Sequence, residues 1–391
     1  MSPTVFFLVT SIVKMLVVFT VIMVGVALMT LVERRLCAFM QDRLGPNRVG
    51  PFGLLQPAAD GLKNILKEET YPALADKWFF ILAPAMSFTP ALLTFAVIPF
   101  AAPLATRWGL VPMVVADLPM GFLYILAIGS LGVYGIVLAG WSSNNKYALL
   151  GGLRASAQMI SYEISMGMST VAVLLLAGNV TLSQVIAQQQ LARTWNIVPL
   201  FVAFVLFLIS ALAETNRVPF DLPEAEGELI AGYHTEYSSM KFSMFYIAEY
   251  SNMLTASALM ATLFFGGWDI PFVHWDAAAG LAWWQVLATL VAFCAKTSFF
   301  VFLYMWIRWT LPRFRYDQLM ALGWKVLLPI ALLYLTILGA AIWYLHVQLG
   351  WAYGWRFAWT LGGLNLVLAV IQLWVLDRGH IVSGSAARKA V

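Results

Sequence analysis

The stretch Ala213–Asn252, AETNRVPFDLPEAEGELIAGYHTEYSSMKFSMFYIAEYSN, holds Glu214, Asp221, Glu224, Glu226, Glu228, Glu236 and Glu249, seven of the 19 acidic residues in the chain. Carboxylates this close cannot all ionise cheaply, so their proton affinities are coupled and a nearby change of charge moves protons on or off them. Arg217 sits among them as a counter-ion. Pro219 and Pro223 break any helix entering the stretch. If the following residues are helical, Glu224 and Glu228 share a face and Glu226 points elsewhere. Two readings stand side by side: a solvated charged loop, or a proton-exchanging cluster. Glu214 and Glu249 favour the second, because they reach into the flanking apolar runs, where an unpaired charge costs several kcal/mol.

Other ionisable residues line up with this group. Glu33 closes the first apolar run, Glu163 in SYEIS lies about two turns inside the fourth, and Lys296 falls near the middle of the seventh. A series of carboxylates leading to a mid-membrane lysine outlines a proton or charge relay; a structural pairing of Lys296 with an acid is the plainer reading. Asp117 opens the third run from the opposite side, and Leu118–Trp141 carries no acid, so not every helix contributes.

The segment from Glu33 to Glu69, ERRLCAFMQDRLGPNRVGPFGLLQPAADGLKNILKEE, packs Arg34, Arg35, Arg43 and Arg48 among apolar residues. Gly45-Pro46 and Gly50-Pro51 are turn signals. After them Leu54, Leu55, Ala58, Leu62, Ile65 and Leu66 fall on one helical face and Gln56, Asp60, Lys63, Asn64 and Lys67 on the other, the pattern of an interfacial amphipathic helix. This segment reads either as a basic anchor with a packing helix or as one wall of a site for a lipid-soluble ligand entering sideways from the bilayer. A third segment, IRWTLPRFRYDQLMALGWK from Ile307 to Lys325, clusters Arg308, Arg313 and Arg315 with Trp309 and Trp324. Anchoring at the lipid interface accounts for it without a site.

Redox and metal chemistry find little footing. Cys37 and Cys294 are isolated, with no CxxC or iron–sulfur spacing. The histidines at 234, 274, 346 and 380 show no paired metal spacing, and Gly45, Gly50 and Gly53 fit neither dinucleotide nor phosphate-loop patterns. No metal site and no bound cofactor are expected on this chain.

The elements that must position these residues follow from composition. The 391 residues are 61% hydrophobic and 11% charged, against about 25% charged in soluble domains, and mean hydropathy is +0.82. Apolar runs near 5–32, 78–100, 113–141, 157–178, 197–213, 246–265, 283–307, 325–346 and 357–376 predict an all-α polytopic membrane protein of about nine spans, organised as one domain over 1–391. The first run is too long for a signal peptide and lacks its cleavage site, so it is expected to be retained. Of the 23 Lys and Arg, 18 fall on the side carrying the loops near 33–77, 214–245 and 308–324. That bias puts this side in the cytoplasm, with the N-terminus external and the C-terminus cytoplasmic. The basic pI of about 9.0 then reflects topology and requires no nucleic acid.

The three long loop motifs, ERRLCAFMQDRLGPNRVGPFGLLQPAADGLK, AETNRVPFDLPEAEGELIAGYHTEYSSMKF and IRWTLPRFRYDQLMALGWK, together resemble the H-type membrane subunits of the proton-pumping NADH–quinone oxidoreductases, respiratory complex I, whose mitochondrial counterpart is the first NADH dehydrogenase subunit. The resemblance covers about Leu31 to Leu345. It implies a place at the junction of the membrane and hydrophilic arms, forming the bilayer entrance to a quinone chamber. NADH, FMN and iron–sulfur clusters would then belong to partner subunits, and quinone would be the substrate. The implied partners are the hydrophilic-arm quinone-site subunits, the antiporter-like membrane subunits and lipid. The resemblance implicates Arg34, Arg35, Phe39, Arg43, Arg48, Gln56, Asp60 and Lys63 at the quinone entrance. Its carboxylate path maps onto Glu33, Glu163, Glu214, Asp221, Glu224, Glu226, Glu228, Glu236 and Glu249. It also implies a bacterial inner membrane. The chain departs from many relatives in a ninth span, Arg356–Arg378, for which peripheral packing is expected. Two other readings share parts of the pattern: the related membrane subunit of energy-converting hydrogenases and formate hydrogenlyases, and a stand-alone transporter. The long Arg-rich loop disfavours the first, and the lack of an internal repeat disfavours the second.

Overall fold

A computed structural model describes residues 3–107, 109–222, 229–270, 273 and 281–377. Each of the nine apolar runs becomes a helix. The first, α1 (Pro3–Met40), has 38 residues. The interfacial segment gives α2 (Gln56–Leu66). Then come α3 (Lys77–Leu93), α4 (Gly121–Ser142) and α5 (Lys146–Ala177). A short α6 (Leu182–Ala192) precedes α7 (Phe201–Glu214) and α8 (Ser239–Phe264). α9 (Trp283–Thr310) leads to α10 (Tyr316–Ala321), which continues through a π-helical stretch into α11 (Leu328–Trp343). The last is α12 (Trp355–Asp377). A two-stranded antiparallel hairpin, β1 (Leu104–Thr106) and β2 (Gly109–Val111), occupies the ground just before the predicted third span, and α4 starts only at Gly121.

Seven of these helices are long and apolar enough to cross a membrane, which makes the chain a multi-pass membrane protein. The two other predicted spans differ for physical reasons. α7 has only 14 residues, because Asn196 and Pro199 precede it in a turn rather than in the helix. α8 has 26 residues but carries Lys241, Glu249, Asn252 and several Ser and Thr. It can do so because protein surrounds it: the run from Ala256 to Phe264 is buried throughout.

The connections gather at two ends. At one, Thr70 donates to Ser238, Asp76 N to Ser142 O, and Arg313 pairs with Asp221. At the other, Lys14 of α1 donates to the carbonyls of Pro112 and Val114, Thr181 donates to Pro119 O, and β1 bridges to Leu281.

Local chemistry sets the helix limits. Asp76 accepts from Trp78 N and Asn145 from Tyr147 N, the side-chain caps that α3 and α5 need. Gly178, at φ 65°, closes α5 in the left-handed region. The α4–α5 crossing depends on Gly140, where a Cβ would stand 2.5 Å from the carbonyl oxygen of Ala148. Such small-residue crossings let membrane helices pack backbone to backbone. Aromatic rings fill the centre. Phe204, Phe207, Phe264, Phe265 and Phe300 meet edge to face or tilted between α7, α8 and α9.

The interfacial helix forms as predicted. α2 has no buried residue, and Leu62, Ile65 and Leu66 are exposed, as suits an apolar face turned to lipid.

Candidate functional site

Four charged side chains from four parts of the chain meet where α1 ends. Glu33 of α1 is 3% exposed. Its carboxylate accepts from Nη1 of Arg217 at 2.9 Å on both oxygens, from the Tyr250 hydroxyl at 2.6 Å, and from Arg308. Arg217 in turn donates from Nε to Glu249 at 2.5 Å and stacks its guanidinium over the Tyr250 ring, 4.4 Å from the centroid. Burial alone would lower the pKa of Arg217, but Glu249 and Glu33 outweigh it and hold the guanidinium firmly charged. Two carboxylates and two guanidinium groups balance. Balance is what burial demands, since removing one partner strands a charge in low dielectric.

A tight turn delivers Arg217 to the cluster. α7 stops at Glu214, Asn216 adopts φ 51° and the Val218–Pro219 bond is cis. Asn tolerates the left-handed region better than most residues. Gln158, fully buried on α5, pins the turn by donating to the carbonyls of Ala213 and Phe220 and to Asn216 Oδ1.

Beside this cluster lies a cleft of about 590 Å³ between α1, the first loop, α8 and α9, a volume typical of small-molecule sites. Glu33, Arg34, Cys37, Arg43, Tyr250 and Arg308 are on its wall. Of the predicted entrance residues, Arg34 and Arg43 line it, while Arg35, Phe39, Arg48, Gln56, Asp60 and Lys63 lie off its wall. Asp60 acts on it indirectly, pairing with Arg34 at 2.6 Å and accepting from Gln56 at 3.0 Å, with Lys63 at 3.9 Å. Arg35 packs against Gly45, Phe39 is 82% exposed on the outer face of α1, and Arg48 is exposed. Sequence reasoning missed Cys37, Trp309, Tyr246 and Tyr250 and took Arg308 for a lipid anchor. Trp309 Nε1 donates to Cys37 Sγ at 2.8 Å, fixing both at the cleft.

The other predicted carboxylates divide. Glu249 and Glu214 line one cavity of about 40 Å³, and Glu214 also lines a second of about 40 Å³. Glu163 is bound by Ser130 of α4, next to Gly129, whose Cα faces the Glu214 carboxylate. Glu163 and Glu214 are close enough to feel one another's charge. Glu163 sits midway along α5 and not two turns from its start, because Asn145 caps that helix well before the predicted limit of 157.

Asp221 pairs with Arg313 at 3.0 Å, yet burial pushes its carboxyl up to about 6 against the opposing pull of Arg313. Glu236 accepts from Asn145 Nδ2 at 2.7 Å and so braces the start of α5. Lys296 donates to the carbonyls of Phe265, Gly267 and Asp269 and stacks on Trp195, which places it at the C-terminal end of α8. Glu224, Glu226 and Glu228 lie outside the described residues. Among the described residues, no group of three or more His, Cys, Asp or Glu is arranged to hold a metal ion.

The model of the NADH dehydrogenase family matches residues 13–339, leaving α12 beyond it. The chain is 51% identical over 339 residues to the first of the H-type subunits of NADH-quinone oxidoreductase in Geobacter metallireducens, covering 87% of this chain and 98% of the relative. It is 52% identical over 326 residues to the second such protein of Geobacter sulfurreducens, covering 83% and 94%. It is 49% identical over 349 residues to the corresponding protein of Leptospira biflexa, covering 87% and 96%. With the match extending over every helix that builds the charged cluster and the cleft, the chain belongs to the NADH dehydrogenase family, among the H-type subunits of NADH-quinone oxidoreductase.

Proposed function

We propose that this chain admits quinone from the bilayer into the oxidoreductase and couples quinone reduction to proton translocation through its buried carboxylates. The observation that carries the reading is the double membership of Glu33, which lines the cleft and heads the ion-paired cluster. A quinone tail would lie in the cleft beside Arg34, Arg43 and Trp309. The headgroup would be reduced by partner subunits of the hydrophilic arm, which carry NADH, FMN and iron–sulfur clusters.

The chain's own part is electrostatic. Reduction changes the charge at the headgroup, and Glu33, on the wall of the cleft that leads there, responds to it. Because Glu33 shares Arg217 with Glu249, a proton gained on one carboxylate frees the guanidinium to favour the other. The disturbance passes from Glu249 to Glu214 and on to Glu163, toward antiporter-like membrane subunits. Asp221, Glu224, Glu226, Glu228 and Glu236 form the acidic loop that feels the chamber's charge. Lys296 serves as the brace at the end of α8. The concentration of 18 of the 23 Lys and Arg on the loop side orients the N-terminus outward and the C-terminus to the cytoplasm of a bacterial inner membrane.

The test is Glu214→Gln, with Glu228→Gln beside it, in the assembled complex. Coupled quinone reduction is expected to fall by roughly tenfold or more, while NADH oxidation by an artificial acceptor at the hydrophilic arm persists. Normal quinone reduction in both variants, with full assembly, overturns the coupling role.

A further inference from the structure

Two small cavities beside the ion-paired cluster are separated from each other by a septum. The first cavity is bounded by Ser87, Glu214, Asn216, Glu249 and Asn252, and the second by Thr94, Glu214, Thr255 and Asn252. Three residues, Glu214, Thr215 and Asn252, belong to both walls among the described residues. The hydroxyl of Thr215 is already donated to the carbonyls of Ala211 and Leu212. Asn252 is therefore the polar group of the septum that can serve both sides besides Glu214 itself.

Each cavity, at about 40 Å³, exceeds the roughly 10–15 Å³ that one water needs, and each offers the two to four polar partners that hold a buried water. A carboxamide carries two donors and an acceptor, so it can hold a water on either side at once. Spacing agrees with this arrangement. Glu249, Asn252 and Thr255 recur every three residues along α8, a polar stripe on one face of a buried helix.

We propose that Asn252 is a positioning residue for proton movement, its carboxamide ordering a water in each cavity and so continuing the path from the cavity shared by Glu249 and Glu214 into the second, whose wall at Gly129 adjoins Ser130, the partner of Glu163. The inference rests on the carboxylate path proposed above. Protons pass along water and carboxylate oxygens, and Asn252 orients that water without exchanging a proton itself. Removing the amide leaves both carboxylates in place but breaks the connection.

The experiment uses the whole complex in vesicles, with NADH-driven reduction of a short-chain quinone and proton uptake recorded together. Asn252→Leu, similar in size without the amide, is expected to lower kcat roughly tenfold with KM for quinone unchanged, because the septum is off the cleft wall. Asn252→Ser, which returns a hydroxyl and room for a further water, is expected to recover most of that loss. Full kcat in Asn252→Leu, or equal losses in the Leu and Ser variants, overturns the proposal. If Asn252→Leu fails to assemble, Thr255→Val carries the same test, since it keeps the volume and strips the second cavity of a polar partner. A several-fold fall in kcat supports the connection, and an unchanged kcat overturns it. Glu214→Gln in the same preparation separates the two ideas. Impairment there with normal Asn252→Leu sinks the septum alone, whereas a normal Glu214→Gln sinks the carboxylate path itself.

Discussion

Arg217 binds both carboxylate oxygens of Glu33 at 2.9 Å across 184 residues of sequence. This contact ties the turn after α7 to the end of α1. It also makes the cleft wall and the acidic interior parts of one electrostatic unit, because the same guanidinium holds Glu249.

Arg217→Met strands the Glu249 carboxylate, leaves Glu33 to Arg308 alone, and should cost about 3–5 kcal/mol. The expected result is a sharp loss of assembled complex and a lower thermal midpoint. The double variant Arg217→Met, Glu249→Gln should recover part of the stability, since Glu33 keeps Arg308 and no charge is then left unpaired, though it should not recover coupled activity. Arg217→Lys should fall between, because an ammonium lacks the fork that serves both acids.

Asp221 gives a pH signature. Its carboxyl is held at about 6 by burial, well above the usual range. Between about pH 4 and 6 the folded chain therefore keeps a proton that the unfolded chain has lost. The stability it contributes is complete at the acid end of this window and is lost as pH rises through 6, by at most about 3 kcal/mol. Asp221→Asn should flatten that slope in thermal-stability measurements across the same window. A slope equal to that of the parent protein would refute the assignment.

Lys241 should govern the position of the interfacial helix. Its ammonium is 2.9 Å from Glu69 and 3.5 Å from the centre of the Tyr71 ring, and the Tyr71 hydroxyl donates to Glu69, whose carboxyl these two hydrogen bonds hold below its usual range. Ser239 also donates to Asn64 O of α2. Lys241→Met removes the central contact of this staple. Because α2 carries Asp60, which holds Arg34 at the cleft, KM for quinone should rise roughly fivefold, about 1 kcal/mol, with a smaller change in kcat. Steady-state kinetics at varied quinone concentration provide the check.

Gly140 and Gly25 should behave oppositely. A Cβ at Gly140 meets the backbone of Ala148 at 2.5 Å, whereas at Gly25 nothing lies within 4 Å. Gly140→Ala should reduce accumulation of the membrane protein several-fold, and Gly25→Ala should accumulate like the parent. Quantitative blotting of membranes reads both.

Much of the fold is legible in the sequence because membrane burial writes itself as apolar length. All nine runs are helices, and the amphipathic α2 stands where its periodicity puts it. The start of α5 is not legible, since Lys146–Ser156 contains Arg154 and a Gly pair and reads locally as loop. The Asn145 cap and the close approach to α4 make it helix. Arg308 misleads for a different reason. An arginine beside a tryptophan at the end of an apolar run is the usual mark of a lipid anchor, and its bond to Glu33 spans 275 residues that no local spacing records. Lys296 donates to the carbonyls of Phe265, Gly267 and Asp269, and backbone acceptors at a helix end leave no trace in the sequence. Gln158 is visible only as one polar residue in an apolar run. Its importance comes from the orphan carbonyls it meets where α7 ends.

The length of α1 has a mechanical consequence. Its 38 residues make a rod of about 57 Å, nearly twice the roughly 30 Å of hydrocarbon it crosses. Lys14 fastens the rod to the carbonyls of Pro112 and Val114, and Glu33 lies roughly 28 Å farther along the axis at about 1.5 Å per residue. A swing of about five degrees around that fastening carries Glu33 roughly 2–3 Å, by the same geometry. That is the distance between an ion pair in contact and one parted by water. The length of the first helix thus makes the Glu33 contacts, at one end, sensitive to a small tilt at the other.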